Sequence, residues 1–461
     1  MLLCRLRSPL ATAKRVCYRA LSDAAKIQRL YLRPDGTDNM QAQQRAGFHK
    51  IARILATLAA LMLSARLSRA GDWPQILGPA RNGVAATDEK IVDAFPKGGP
   101  RTVWEHKVGQ GYAGVAVADG RLVVFHRVGD QEIVEALDPE TAKPIWKVSF
   151  PTSYSSGIDP DKGPRCVPLI HDGSVYVFGV GGELRGLDLR SGAQRWWQET
   201  KREFKVPESY FGVGSTPIIE KDLLLANVGG KSGHGIVAFS LADGSTRWHS
   251  LDDTASYSSP TAVTLAGVRH VIFVTRLNAL SIDPETGKVH WQFRFGAPGP
   301  TVNAASPQIV DDYLFLSASY GVGAVCRKIG KTSAPEVWAN NSTMSSQFNT
   351  SVPSGPSLFG VDGRRDGPPG SLRCFDPKTG EVRWSEENFG AANLIAADGK
   401  LVIVTDGGEL VLAEASSEKY HELGRVKLSS STTRALPALS QGRLYVRDTS
   451  TLKCIDLRRT K

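Results

Sequence analysis

Past residue 70 the chain alternates short apolar runs with polar turns, and no stretch keeps a helical period. The runs GRLVVFH (120–126), GSVYVFG (173–179), VRHVIFV (268–274), GKLVIVT (399–405) and GRLYVR (442–447) each open on a Gly turn and are rich in β-branched and aromatic residues. Such runs, bounded by Gly and Asp, read as strands.

The strands recur in a fixed frame. SIDPETGKVHW (281–291) returns almost unchanged as CFDPKTGEVRW (374–384), and related phrases end at Trp146, Trp196 and Trp248, with degenerate forms ending at Trp338 and near His421. Starting from Trp104, the intervals are 42, 50, 52, 43, 47, 46 and about 37 residues. A period in the forties with several short strands per unit predicts propeller blades. A second column supports this: Pro168, Pro217, Pro260, Pro307 and Pro437 occupy one place in the first strand of their units. Proline donates nothing to a ladder and is confined to edges, bulges or strand starts. Each first strand is therefore expected to be an edge facing a central channel. The last segment, PALSQGRLYVRDTSTLKCIDLRR, carries three strands and stops before its Trp, whereas RTVWEHKVG near the front is a Trp strand with nothing before it. Joined, they complete one blade. The expectation is an all-β, eight-bladed β-propeller of four-stranded antiparallel blades over 102–457, its last blade closed by both ends of that span and preceded by a leader segment, 71–101.

The repeated residues have structural roles. Asp138 or Asp283 opens an Asx-type turn, Gly287 or Gly380 supplies a positive φ, and Trp104, Trp146, Trp196, Trp248, Trp291, Trp338 and Trp384 are expected to pack against the neighbouring blade. A motif used once per blade is not a one-per-molecule active site. Cys374, Cys454 and Cys326 fall in a column held elsewhere by Ala136, Gly186, Ala238 and Ser281, so they read as small buried hydrophobes rather than disulfide or metal partners. No CxxC occurs.

Charge changes the picture only after the front is set aside. The chain has 56 basic and 46 acidic residues, and residues 1–70 hold 13 and 3 of them, leaving 43 of each sign. A neutral body gives no footprint for nucleic acid. At the front, Arg45, Lys50 and Arg53 precede ILATLAALMLSA (54–65), too short to span a bilayer, and Ser68 and Ala70 take the small positions of a cleavage site. Residues 40–70 are thus expected to be a signal peptide and 1–39 a non-native extension from a misassigned start, so the protein is expected to be exported to the periplasm or cell envelope, without lipid anchoring or a transmembrane helix in the mature chain.

The frame G-x-L-x-x-small-apolar-D-x-x-T-G-x-x-x-W resembles the pyrroloquinoline-quinone (PQQ) repeat shared by quinoprotein alcohol dehydrogenases and BamB-type outer-membrane assembly proteins. Phrases such as DWPQILGPARNGVA (72–85), GPRCVPL, SYSSPT and LSASYGVGA resemble exported PQQ-like propellers of planctomycete type, over residues 72–457. The resemblance implies the fold and the compartment, with a binding or assembly platform as the expected role and a PQQ-dependent dehydrogenase as the alternative. The dehydrogenases are similar to one another in a vicinal Cys pair, a Ca²⁺ held by Glu, Asn and Asp, and an Asp base. No Cys pair occurs here, Asn227 and Asn303 are isolated, and no CxxCH, GxSxG or HExxH is found. His171 and His234 sit in turn contexts and read as surface residues. No catalytic residue or metal ligand is assigned, and no cofactor is expected outside the alternative, which would need PQQ with Ca²⁺.

A binding surface is expected where the first strands begin at the channel mouth. Three residues before the Pro column the blades carry Tyr112, Arg165, Gly214, Tyr257, Ala304, Phe348, Ala391 and Arg434. Arg434, Tyr112 and Arg165 come from contiguous blades, so a forked cationic site rimmed by Tyr257 and Phe348 is expected there. It would take a small anionic ligand or an acidic group of a protein partner. The chain is expected to be a monomer.

Overall fold

The computed structural model describes residues 71–459 except 157, 208–211 and 300. The expected extension and signal peptide lie outside the described residues. Eight four-stranded antiparallel sheets follow one another. Blades 1 to 7 span 116–151, 169–199, 218–250, 261–294, 308–340, 352–386 and 392–427, and blade 8 joins 438–456 to Thr102–Lys107. First strands of neighbouring blades approach one another, so they ring the channel and leave one edge facing it. Among the described residues the one helix is a single turn, Thr200–Glu203.

Thr102–Lys107 pairs antiparallel with Thr451–Asp456, and Trp104 stands opposite Cys454. The ring is thereby closed as the repeat arithmetic requires, with Thr102–Lys107 as the outer strand that completes blade 8. At the seam between blades 8 and 1 the buried Arg447 donates to the carbonyls of Gly109, Ala113 and Phe125.

The strand register explains the small column. Ala136 faces Trp146, Gly186 faces Trp196, Ala238 faces Trp248, Ser281 faces Trp291, Cys326 faces Trp338 and Cys374 faces Trp384. Directly opposed residues share a face of the sheet, so the indole lies over the small side chain and a larger one would displace it. The indole N–H then reaches the next blade. Trp146 Nε1 donates to Leu189 O at 2.9 Å and Trp248 Nε1 to Pro284 O at 3.0 Å. The turn glycine fits beneath the same ring: Gly192 has φ +74°, and a Cβ there would come within 2.6 Å of the Trp146 indole. Cys166, Cys326, Cys374 and Cys454 are free and buried, and burial pushes the Cys326 and Cys454 thiols up to about 12.

Blade 7 departs from the frame. Its large and small positions are exchanged, with Leu412 facing Gly424. Phe95 of the leader fills the space a Trp would take, since a Cβ on Gly424 would lie 2.8 Å from the Phe95 ring.

The leader also closes the channel at one level. Trp73 pairs with Val117 of blade 1, Ile170 N–H of blade 2 donates to Pro74 O, and Gly83 and Ala85 bond Ala396 of blade 7. These three partners are equivalent positions on their first strands. Between them Arg81 crosses to blades 3 and 4, where Nε donates to Pro260 O at 2.8 Å, Nη1 to Pro217 O at 3.0 Å and Nη2 to Thr216 O at 2.9 Å. The proline column thus presents carbonyls to the channel, and the leader supplies the donors that buried backbone requires.

Candidate functional site

The mouth column begins five positions before the row that the leader pairs with, so the funnel is about 16 Å deep to the leader backbone at roughly 3.3 Å per residue. Arg81 makes its floor nearer still. It is 4% exposed, and among the described residues no carboxylate lies within ion-pair distance. Burial pulls its guanidinium down to about 9 against the weaker pull of Glu220, so it stays charged at neutral pH.

At the rim the five expected residues form one arc. The Arg434 guanidinium carbon lies 4.2 Å from the Tyr112 ring centre and 4.6 Å from that of Phe348. Ala391 is small enough for Arg434 to reach across blade 7. Arg165 stands 5.5 Å from the other side of Tyr112. Tyr257 continues the arc, its ring packed on Gly214 and its hydroxyl pushed up by burial although Arg165 opposes this. Alternating rings and guanidiniums gain cation–π attraction that water would weaken.

The two arginines nevertheless differ in how far their charges are already met by acids. Arg165 is buried and ion-paired to Asp159 and Asp161, at 3.4 and 3.5 Å, and its Nη2 also donates to Asp161 O at 2.7 Å. Burial works against its charge, but Tyr257, Tyr154 and the two acids outweigh it and hold its pKa above the usual value. Its charge is satisfied inside the loop 152–165. Arg434 is half-buried, and no carboxylate among the described residues comes within ion-pair distance. The signal was in the sequence: GIDPDKGPR places two acids four and six residues before Arg165, and nothing comparable precedes Arg434.

Sequence reasoning missed the polar groups that the loops between second and third strands bring to the same end. Asp406 of blade 7 donates its N–H to Ala391 O, and its carbonyl accepts from Thr433 N–H, which sets it beside Arg434. Its Oδ2 lies 2.8 Å from Arg365 Nε as an ion pair, and neither of its oxygens accepts a hydrogen bond. Burial pushes its carboxyl up to about 6, with Arg365 and Arg434 opposing. Arg365 is held by Gln347 and Thr432.

Among the described residues no group of three or more His, Cys, Asp or Glu side chains is placed to hold a metal ion. Asp161 spends both oxygens on the Gly111 and Gly163 N–H groups, and Asp159 accepts from Asp161 N–H and the Tyr112 hydroxyl besides Arg165. Asn227 and Asn303 donate their amide N–H groups to backbone carbonyls of blade 4, and Asn227 Oδ1 is buried without a hydrogen bond. His171 is exposed, whereas His234 is half-buried and stacks on Phe204 and His249.

The family model described as outer membrane protein assembly factor BamB matches residues 88–250, 129–386 and 368–458. The chain belongs to the BamB family. No curated protein matches it at the level of sequence. Among solved structures it is similar to BamB from Moraxella catarrhalis, with TM-score 0.56, 17% identity and coverage of 77% of this chain and 99% of that one. It is similar also to quinohemoprotein alcohol dehydrogenase from Comamonas testosteroni, with TM-score 0.63, 14% identity and coverage of 87% and 82%. The C-terminal WD40 domain of Sif2 gives TM-score 0.54, 9% identity and coverage of 78% and 99%. At these identities the likeness is one of fold, which the BamB family shares with proteins of unrelated names.

Proposed function

We propose that this BamB-type propeller is a binding platform of the cell envelope whose channel mouth takes an anionic group offered by a protein partner. The carrying observation is Arg434: its guanidinium lies against the rings of Tyr112 and Phe348, and among the described residues no carboxylate comes within ion-pair distance of it. A guanidinium clamped flat has lost its rotamer freedom before binding and can offer its N–H edge as a fork to a carboxylate. Arg81 on the floor adds a second charge along the axis, and the low-dielectric walls of a narrow funnel weaken the screening of both.

The test is ligand-observed NMR with propionate as probe, on the wild type and on Arg434→Gln. Saturation transfer to the wild type that vanishes in the variant and falls steeply with salt supports the reading. Equal transfer to both proteins would remove Arg434 as the anchor. A stoichiometric quinone absorbance on adding PQQ and Ca²⁺, with alcohol oxidation, would replace the platform by a dehydrogenase.

A further inference from the structure

We infer that the mouth site selects a carboxylate carrying an N–H or O–H donor on the adjacent carbon, the chemistry of a polypeptide C-terminus, with Arg434 taking the carboxylate and Asp406 the donor. This rests on the platform reading and narrows it to a ligand class. Three observations carry it. The first is the pairing of opposite functions within one residue's reach: Asp406 is tied by its backbone to Ala391 and to Thr433, the neighbour of Arg434, so an acceptor and an uncommitted cation stand side by side. The second is that Asp406 has hydrogen-bonding capacity to spare. Its side chain is 12% exposed, Arg365 approaches Oδ2 as an ion pair, and neither oxygen accepts a hydrogen bond, which leaves Oδ1 open to a donor. A bare anion entering beside that oxygen would meet like charge, whereas a ligand with a donor next to its carboxylate relieves the repulsion and satisfies the oxygen. The third is that the leader shuts the channel. A polypeptide cannot thread through a blind funnel, so only a chain end or a side chain can enter, and of these the chain end carries its own N–H beside the carboxylate.

Isothermal titration with four probes tests this: acetyl-trialanine with a free C-terminus, the same peptide as its amide, glycolate and propionate. The wild type should bind the free-acid peptide about tenfold or more tighter than propionate, the worth of a hydrogen bond to a charged acceptor, and should not bind the amide. Asp406→Ala should bring peptide and propionate within about threefold of each other by losing the acceptor, and Asp406→Asn, which keeps the shape, should narrow the gap in the same direction. Glycolate matching the peptide would assign the same chemistry to a free hydroxy acid and overturn the chain end as its source. If the wild type binds propionate and peptide alike while Arg434→Gln abolishes both, the inference falls and the platform stands. If Arg434→Gln changes nothing, the platform reading falls first.

Discussion

Glu132, on the third strand of blade 1, is 3% exposed and accepts the Val180 N–H at 2.9 Å. Burial pushes its carboxyl up to about 7, and Glu183 adds to the shift. A carboxyl whose folded pKa lies above its unfolded value holds its proton better when folded, so its contribution is full at low pH and is lost as pH rises from about 4.5 towards 7. Glu132→Gln, which keeps the acceptor, should come close to the wild type at about pH 4 and exceed its stability at pH 8 by on the order of 3 kcal/mol. Parallel denaturation curves at both pH values would refute this. The tryptophans divide on a finer point. Trp291→Ala and Trp384→Ala should each cost about 3–5 kcal/mol. Trp384 Nε1 donates to Ser416 O at 2.9 Å, whereas Trp291 Nε1 has no partner, so Trp384→Phe should cost about 1 kcal/mol more than Trp291→Phe by urea melts. The repeat column exposed the tryptophans in the sequence because seven-fold use amplifies a weak signal. It could not separate Arg165 from Arg434, since both hold the same column, and only the acidic loop before one of them decides which charge is spent.

The leader is the element least legible beforehand. Its pattern matches no repeat, and its work is done by backbone pairing with Val117, Ile170 and Ala396, which leaves no periodic trace in side chains. The missing Trp of blade 7 showed in the sequence as a degenerate repeat, but nothing there connected it to Phe95, more than three hundred residues away. Phe95→Ala should open a cavity against Gly424 and destabilise the protein by about 3 kcal/mol, and Phe95→Ala combined with Gly424→Ala should recover part of that loss. Arg81→Ala strips the partners from three channel carbonyls and should cost about 3 kcal/mol or more. Because Arg81 also sets the floor charge, it should weaken propionate binding as well, which Phe95→Ala, remote from the funnel axis, should not. Thermal melts and the NMR probe together separate the two effects.

For the whole molecule, blade number, strand order and closure followed from sequence because a ring of equal units imposes one period and one proline column. The loops that furnish Asp406 and Arg365 lie between strands, where no period constrains them. Deleting residues after Gln441 removes two strands of blade 8 and leaves Thr102–Lys107 without its partner. The whole ring should lose its cooperative melt, and an unchanged melting temperature would count against closure as the source of stability. The stitched blade has a further consequence in time. Glu89 accepts the Gln441 N–H from 352 residues further along the chain, so during synthesis the leader and its strand emerge roughly 20–70 s before the segment they clasp. Through that interval the leader can pair only with blades 1 and 2, and Thr102–Lys107 has no partner strand. Ring completion is then a loop closure of very high contact order, the last and slowest folding step. A circular permutant opened between blades 7 and 8, with the clasp made local, should refold faster at nearly equal stability.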